Sequence, residues 1–379
     1  MKKFMLFLIL LFVFITPISA EDLTLNAKSS ILIEASTGKI LYEKNKDERY
    51  APASMTKMMS LVIIMDNIYN GNLRLDEMVK TSKNASGMGG SQIFLKEGEE
   101  MSVDDMLKGI TIGSANDATV ALAERIAGSE EAFVKIMNEY AKKLGLKNTH
   151  FKNCTGLDEN DHYSSAYDMS VIARELVKHD KILNYSSIYE TYLRSDTDNK
   201  FWLVNTNKLV RFYKGVDGLK TGYTDTAGYC LTATINKDNM RVIAVVMGED
   251  SSTTRNSEVS GLLDYAYNLY KKDTYITKEE VLGNAKVEKG NVEYANIVTI
   301  DDISIINKKE YKRGEIKFEL DLKYLKAPIK KGDVVGKIKV IENGNIISEA
   351  DVTVDKNIDK AGYFTMFIRN LKEIISANI

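Results

Sequence analysis

Of 379 residues, only three are proline, three histidine, two cysteine and one tryptophan. Scarce proline, with no low-complexity tract and no internal repeat, excludes a linker-like disordered chain and a solenoid. Two cysteines are too few for a disulfide-stapled scaffold. In an exported chain, Cys154 and Cys230 either bridge or stay as two buried thiols, and their spacing does not choose between these. The histidines, His150, His162 and His179, form no His-Glu-x-x-His pattern, which argues against a zinc peptidase. His162 reads as a solvated residue in the polar stretch Asp161-His162-Tyr163. An excess of one charge is missing too. Lysine plus arginine total 51 against 53 aspartate plus glutamate, which argues against nucleic acid as a partner, since that would favour a strongly basic face. There is no Gly-x-Ser-x-Gly elbow, and Gly87-Met88-Gly89-Gly90 lacks the lysine of a phosphate loop and reads as a flexible segment.

What is present is an ordinary globular composition, 44% hydrophobic and 27% charged, in a chain long enough for two domains. Lys2 and Lys3 precede an apolar run from Phe4 to Ile15, and Pro17-Ile18-Ser19-Ala20 offers a small residue before Glu21. This pattern predicts a signal peptide over 1–20, cut after Ala20, since the run is short of the roughly 20 residues that span a bilayer. Residues 21–275 read as one α/β domain: an antiparallel sheet with helices packed on it. Two strands flank a turn at Ser36-Thr37-Gly38, and an all-round apolar helix follows from Ser54 to Tyr69. Helices are predicted over Ala115–Ala127 and Glu130–Leu144, strands over Gly228–Ile235 and Met240–Met247, and a closing helix over Asn256–Tyr270. Residues 276–355 read as a small all-β domain, with Glu315–Leu322 alternating and an Asn343-Gly344 turn inside Ile338–Val354. In 356–379, Phe364, Phe367, Ile368, Leu371, Ile374 and Ile375 recur at helical spacing. That helix either docks on the β domain or lies in a membrane interface.

Three short motifs carry chemistry. Ser54-Met55-Thr56-Lys57 places a serine and a lysine one turn apart at the start of the apolar helix. Burial there favours the neutral amine, a competent base, and the free N–H groups of a helix start suit an oxyanion. Ser114-Ala115-Asn116 offers a hydroxyl to relay a proton and a carboxamide to hold a substrate carbonyl, or else a helix N-cap. Lys220-Thr221-Gly222 offers a cation, a hydroxyl and a strand edge, with Gly222 leaving room for a substrate to approach.

With these in order, and with Ala53-Ser-Met-Thr-Lys57, Ala141-Lys-Lys-Leu-Gly-Leu146 and Val216-Asp-Gly-Leu-Lys-Thr-Gly222, the chain resembles the low-molecular-mass penicillin-binding proteins. These act as serine D-alanyl-D-alanine carboxypeptidases of the peptidase S11 type. The resemblance runs from about Ser29 to Tyr270 and less specifically beyond. It implies Ser54 as nucleophile, Lys57 as base, Ser114 as proton relay and Asn116 as substrate holder. It further implies Lys220 in the proton network, Thr221 at the terminal carboxylate, and the N–H groups of Ser54 and Tyr223 as the oxyanion hole. Arg255 falls where the family often has a carboxylate-binding base, though it also suits a surface ion pair. The substrate implied is the D-Ala-D-Ala end of a peptidoglycan stem peptide, with β-lactams as covalent inhibitors. No cofactor or metal is implied. The location implied is the outer face of the cytoplasmic membrane, with the C-terminal helix as anchor. Endopeptidase and transpeptidase activity stay open. A class A β-lactamase would carry Glu-x-x-Leu-Asn; the nearest string, Asp180-Lys-Ile-Leu-Asn184, lacks the glutamate. A non-catalytic wall-binding protein would be expected to lack Ser54 or Lys57.

Overall fold

The computed structural model describes residues 22–376, so the signal peptide expected over 1–20 lies outside the described residues. Strands β1 (Ser29–Glu34) and β2 (Ile40–Lys44) form the expected hairpin, turning at Gly38 with φ +73. A 3-10 turn, Ala53–Thr56, then leads into α1 (Lys57–Tyr69). Every residue of α1 from Lys57 to Met65 is buried, as its all-round apolar sequence requires. A mostly helical lobe follows. It holds the hairpin of β3 (Met78–Lys80) and β4 (Glu100–Ser102), with α2 (Lys83–Ser86) between them. It continues with α3 (Val103–Ile112), α4 (Asn116–Ala127), α5 (Glu130–Lys143), α6 (Ala166–Leu176) and α7 (Asp180–Ser186). A second hairpin, β5 (Glu190–Leu193) with β6 (Phe201–Val204), and the short α8 (Leu209–Phe212) return the chain to the sheet.

Strands β7 (Val216–Thr224), β8 (Gly228–Lys237) and β9 (Met240–Glu249) complete an antiparallel sheet in the order β2-β1-β9-β8-β7, and α9 (Ser252–Leu269) covers its back. Both faces are buried. In β9, Ile243, Val245 and Met247 enter the core shared with the helical lobe, while Val242, Ala244 and Val246 enter the core under α9. A strand with two buried faces has no polar side to show, which is why these segments read as unbroken apolar runs. The edge strand β7 lies against the Ala53–Thr56 turn, and that contact builds the site.

The helix expected over Asn256–Tyr270 begins four residues earlier, because the Ser251 side chain accepts from Thr254 N–H and caps it. Arg255 therefore sits in the first turn of α9. From Leu269 the chain continues directly into β10 (Tyr270–Ile276), paired with β13 (Ile303–Lys308). A five-stranded sheet follows, of β11 (Val281–Lys286), β12 (Tyr294–Thr299), β16 (Asn345–Val354), β15 (Gly336–Glu342) and β14 (Ile316–Leu322) in that order. Asn343 and Gly344, both at positive φ, make the expected turn between β15 and β16. Last comes α10 (Tyr363–Ser376), tied to the β region by Arg369, whose guanidinium donates to Gly290 O at 2.7 Å and Asn291 O at 3.2 Å.

Candidate active site

Ser54 and Lys57 fall on the 3-10 turn and its junction with α1, a geometry that stacks residues i and i+3. Lys57 Nζ lies 3.0 Å from Ser54 Oγ and donates to Thr155 O at 2.7 Å. Lys57 is fully buried, and loss of hydration lowers its pKa from 10.5 to about 7, with Cys154 and Asp117 opposing weakly. With one hydrogen held by Thr155, a neutral Lys57 amine can turn its lone pair to the Ser54 hydroxyl.

Ser114 comes from the loop between α3 and α4, and Asn116 opens α4. Ser114 adopts φ +63, and its buried Oγ has no hydrogen-bond partner among the described residues. The N-cap position of α4 falls to Ala115, so Ser114 is not a helix cap. Asn116 Nδ2 donates to Gly89 O at 2.7 Å, while its Oδ1 is buried without a partner. One amide hydrogen is thus committed to the protein, and what the side chain offers a peptide is the other hydrogen and an acceptor. Asp117, the next residue, accepts from Ile93 N–H at 3.2 Å and Leu95 N–H at 3.0 Å, which fastens the 88–95 loop over the site.

The third side is β7. Lys220 is buried, donates to Thr221 O at 3.0 Å, and has its pKa pushed well below the usual lysine range by burial, then by Lys57 and Arg255. Thr221 Oγ1 donates to Thr206 Oγ1 at 2.7 Å. Arg255 is buried, donates to Asn256 Oδ1 at 3.1 and 2.9 Å, and takes part in no ion pair among the described residues. The surface ion-pair reading of Arg255 is thereby set aside. Ser54, Ser114, Thr221, Gly222, Tyr223 and Arg255 line one groove of about 430 Å³, with Ser91, Val204, Thr206, Lys208 and Tyr229 among its walls.

One sequence reading needs correction, and Gly222 does more than its motif suggests. Besides lining the groove it makes room for the protein itself: a Cβ there would stand 2.9 Å from Pro52 O and 3.1 Å from Ala53 Cβ. His162 is buried, not solvated. Its Nε2 is 2.8 Å from Thr56 Oγ1 and its Nδ1 accepts from Lys152 N–H at 3.1 Å, so the ring is neutral, with burial lowering its pKa to about 4. Both cysteines are buried free thiols. Several groups that shape the site had no legible motif: Asp117, Thr155, Gly156, His162 and Thr206. Gly156, at φ +86, packs so tightly on Ala53 O that no side chain fits.

Residues 16–251 match the D-alanyl-D-alanine carboxypeptidase family, and residues 268–360 match the penicillin-binding protein 5, C-terminal domain. The chain is similar to D-alanyl-D-alanine carboxypeptidase DacF of Bacillus subtilis (strain 168), at 49% identity over 352 residues, 93% of this chain and 90% of that protein. It is 35% identical to DacC of Escherichia coli (strain K12) over 354 residues, 91% and 88% of the two chains. Its fold is similar to penicillin binding protein 5 from Haemophilus influenzae, with a TM-score of 0.72, 32% identity, and coverage of 88% and 98%. Similarity this high along nearly the whole length, with both regions in the same order, places the chain in the D-alanyl-D-alanine carboxypeptidase family.

Proposed function

We propose that Ser54 and Lys57 carry out serine D-Ala-D-Ala carboxypeptidase chemistry, removing the terminal D-alanine of a peptidoglycan stem outside the cytoplasm. The observation that carries this is the 3.0 Å approach of a buried, readily deprotonated Lys57 to Ser54 Oγ. Neutral Lys57 takes the Ser54 proton as Oγ attacks the penultimate D-alanine carbonyl. The N–H groups of Ser54 and Tyr223 hold the oxyanion. As the C–N bond breaks, the proton passes from Lys57 through Ser114 Oγ to the departing amine, leaving an ester on Ser54 that water then cleaves. Asn116 holds the peptide, Lys220 supports the proton network, and Thr221 with Arg255 takes the terminal carboxylate, for which a guanidinium without a carboxylate partner is suited.

Deacylation of a β-lactam is slow in this reading. Asp180 opens α7 beside Met65, Ile68 and Tyr69, at the end of α1 opposite Lys57, so the one string close to a β-lactamase loop supplies no carboxylate to the groove. Peripheral attachment to the outer face of the cytoplasmic membrane is assigned to α10. No described helix is long and apolar enough to cross a membrane, but Phe364, Phe367, Ile368 and Leu371 stand exposed at i, i+3, i+4 and i+7.

The test is release of free D-alanine from a pentapeptide ending in D-Ala-D-Ala, comparing the protein with Ser54→Ala. Release that disappears in the variant is expected. Stoichiometric penicillin labelling without release would move the activity to endopeptidase or transpeptidase. Absence of both would leave a wall-binding protein.

A further inference from the structure

Of the described residues that line the groove, none belongs to the segment 150–162, yet that segment grips the turn carrying the nucleophile. Thr155 O accepts from Lys57 Nζ at 2.7 Å, Gly156 packs on Ala53 O, and the His162 ring meets the Thr56 hydroxyl at 2.8 Å. The first two contacts are made by backbone. His162 contributes a side chain, and the chemistry assigned above leaves it without a task.

The turn needs such a hold. Ala53, directly before the nucleophile, is at φ +47, a left-handed conformation that alanine keeps only where its surroundings enforce it. Three residues per 3-10 turn bring Ser54 and Lys57 onto one face and leave Thr56 about 120° round the axis from them. A group fixed to Thr56 from that side sets the rotation of the turn, and with it the 3.0 Å spacing of Ser54 Oγ and Lys57 Nζ. Both Thr56 and His162 are buried, so water does not compete for their bond.

The ring itself is held in one orientation. Its Nδ1 accepts from Lys152 N–H at 3.1 Å, so the single hydrogen of the neutral ring is on Nε2 and is donated to Thr56 Oγ1. Phe151 packs edge to face against it, with ring centroids 5.9 Å apart. Asn153 stiffens the segment between them: its Oδ1 accepts from Gly156 N–H at 2.7 Å and its Nδ2 donates to Leu157 O at 3.0 Å.

We propose that His162 is a positioning residue for acyl transfer, holding Ser54 and Lys57 at reacting distance through its bond to Thr56. This rests on Ser54 and Lys57 being nucleophile and base, and it adds a residue from outside the three motifs. Asn116, Thr221 and Arg255, assigned to the substrate, stand on other elements. Loss of the hold therefore slows the reacting step and leaves peptide binding largely intact.

The test measures kcat and KM for D-alanine release from a pentapeptide. His162→Phe keeps a ring against Phe151 but has no donor, whereas the His162→Gln amide can replace the Nε2 hydrogen. In His162→Phe, kcat should fall about tenfold with KM within about twofold of wild type, and His162→Gln should recover most of the loss. Thr56→Val should lose as much as His162→Phe, and the double variant no more than either, because all three lack the same bond. An unchanged kcat in His162→Phe, equal losses in the Phe and Gln variants, or losses that multiply in the double variant would overturn the proposal. If His162→Phe melts below the assay temperature, Thr56→Val against Thr56→Ser decides. The serine variant should keep its kcat and the valine variant lose it, and equal rates count against the proposal. Release that persists in Ser54→Ala defeats the reading of Ser54 and this proposal with it, and that variant alone tells the two failures apart.

Discussion

At the level of single residues, catalysis turns on a lysine made useful by losing its hydration. Lys57 is charged in water at neutral pH, but burial brings its pKa to about 7, so the basic form is already half populated there. The sign of the consequence is fixed. The neutral amine is the active form, so kcat/KM for D-alanine release should climb with pH through about 7 and level above it, falling about tenfold per unit on the acid side. A rate profile flat from about pH 5.5 to 8 would contradict this. The nucleophile and base could be read from the sequence because i and i+3 are local. Ser114 was legible only as part of a trio. Its strained backbone at φ +63 and unpartnered hydroxyl are features of the folded loop, and they favour a polar role over a structural cap. Thr206 and Thr155 left no trace at all, since each contributes through a contact with a residue far away in the chain.

Among elements, the working contact is between the Ala53–Thr56 turn and the edge strand β7. Gly222 permits it. Replacing Gly222 with alanine would drive a methyl group against Pro52 O and Ala53 Cβ and push Ser54 away from the strand. A displacement near 1 Å at a nucleophile costs about a hundredfold. Gly222→Ala should therefore lower the rate of acylation by fluorescent penicillin by about that factor, while a parallel melting curve shows a folded protein. A rate equal to wild type would mean the turn does not depend on that approach. The strands, the buried helix and the Asn343-Gly344 turn were legible because period and turn chemistry are local. The start of α9 was missed, since Ser251-Ser252-Thr253-Thr254 reads as a polar loop until the Ser251 cap is seen. His162 was misjudged for a related reason: its neighbours in sequence are polar, but its neighbours in space are Thr56 and Phe151.

At the scale of the whole molecule, catalysis and location are assigned to opposite ends of the chain. The groove belongs to the sheet and helical lobe, and the exposed apolar stripe belongs to α10. Replacing Phe364 and Phe367 together with serine should abolish cosedimentation with anionic phospholipid vesicles and leave D-alanine release from a soluble pentapeptide intact. Persistent vesicle binding would mean that α10 is not the anchor. The sequence carried this division in its change of pattern, from two-face buried strands to alternating strands to a helical repeat. It carried no sign of how the parts meet, such as Lys39 Nζ donating to Ile306 O at 2.7 Å, because such contacts join residues hundreds of positions apart.

The most direct test of the central claim is to map the adduct formed with benzylpenicillin by peptide mass spectrometry, following its loss with time. One adduct per chain is expected, on Ser54, decaying slowly because among the described residues no aspartate or glutamate lines the groove. An adduct on any other residue, or rapid turnover of the drug with no adduct retained, would contradict it.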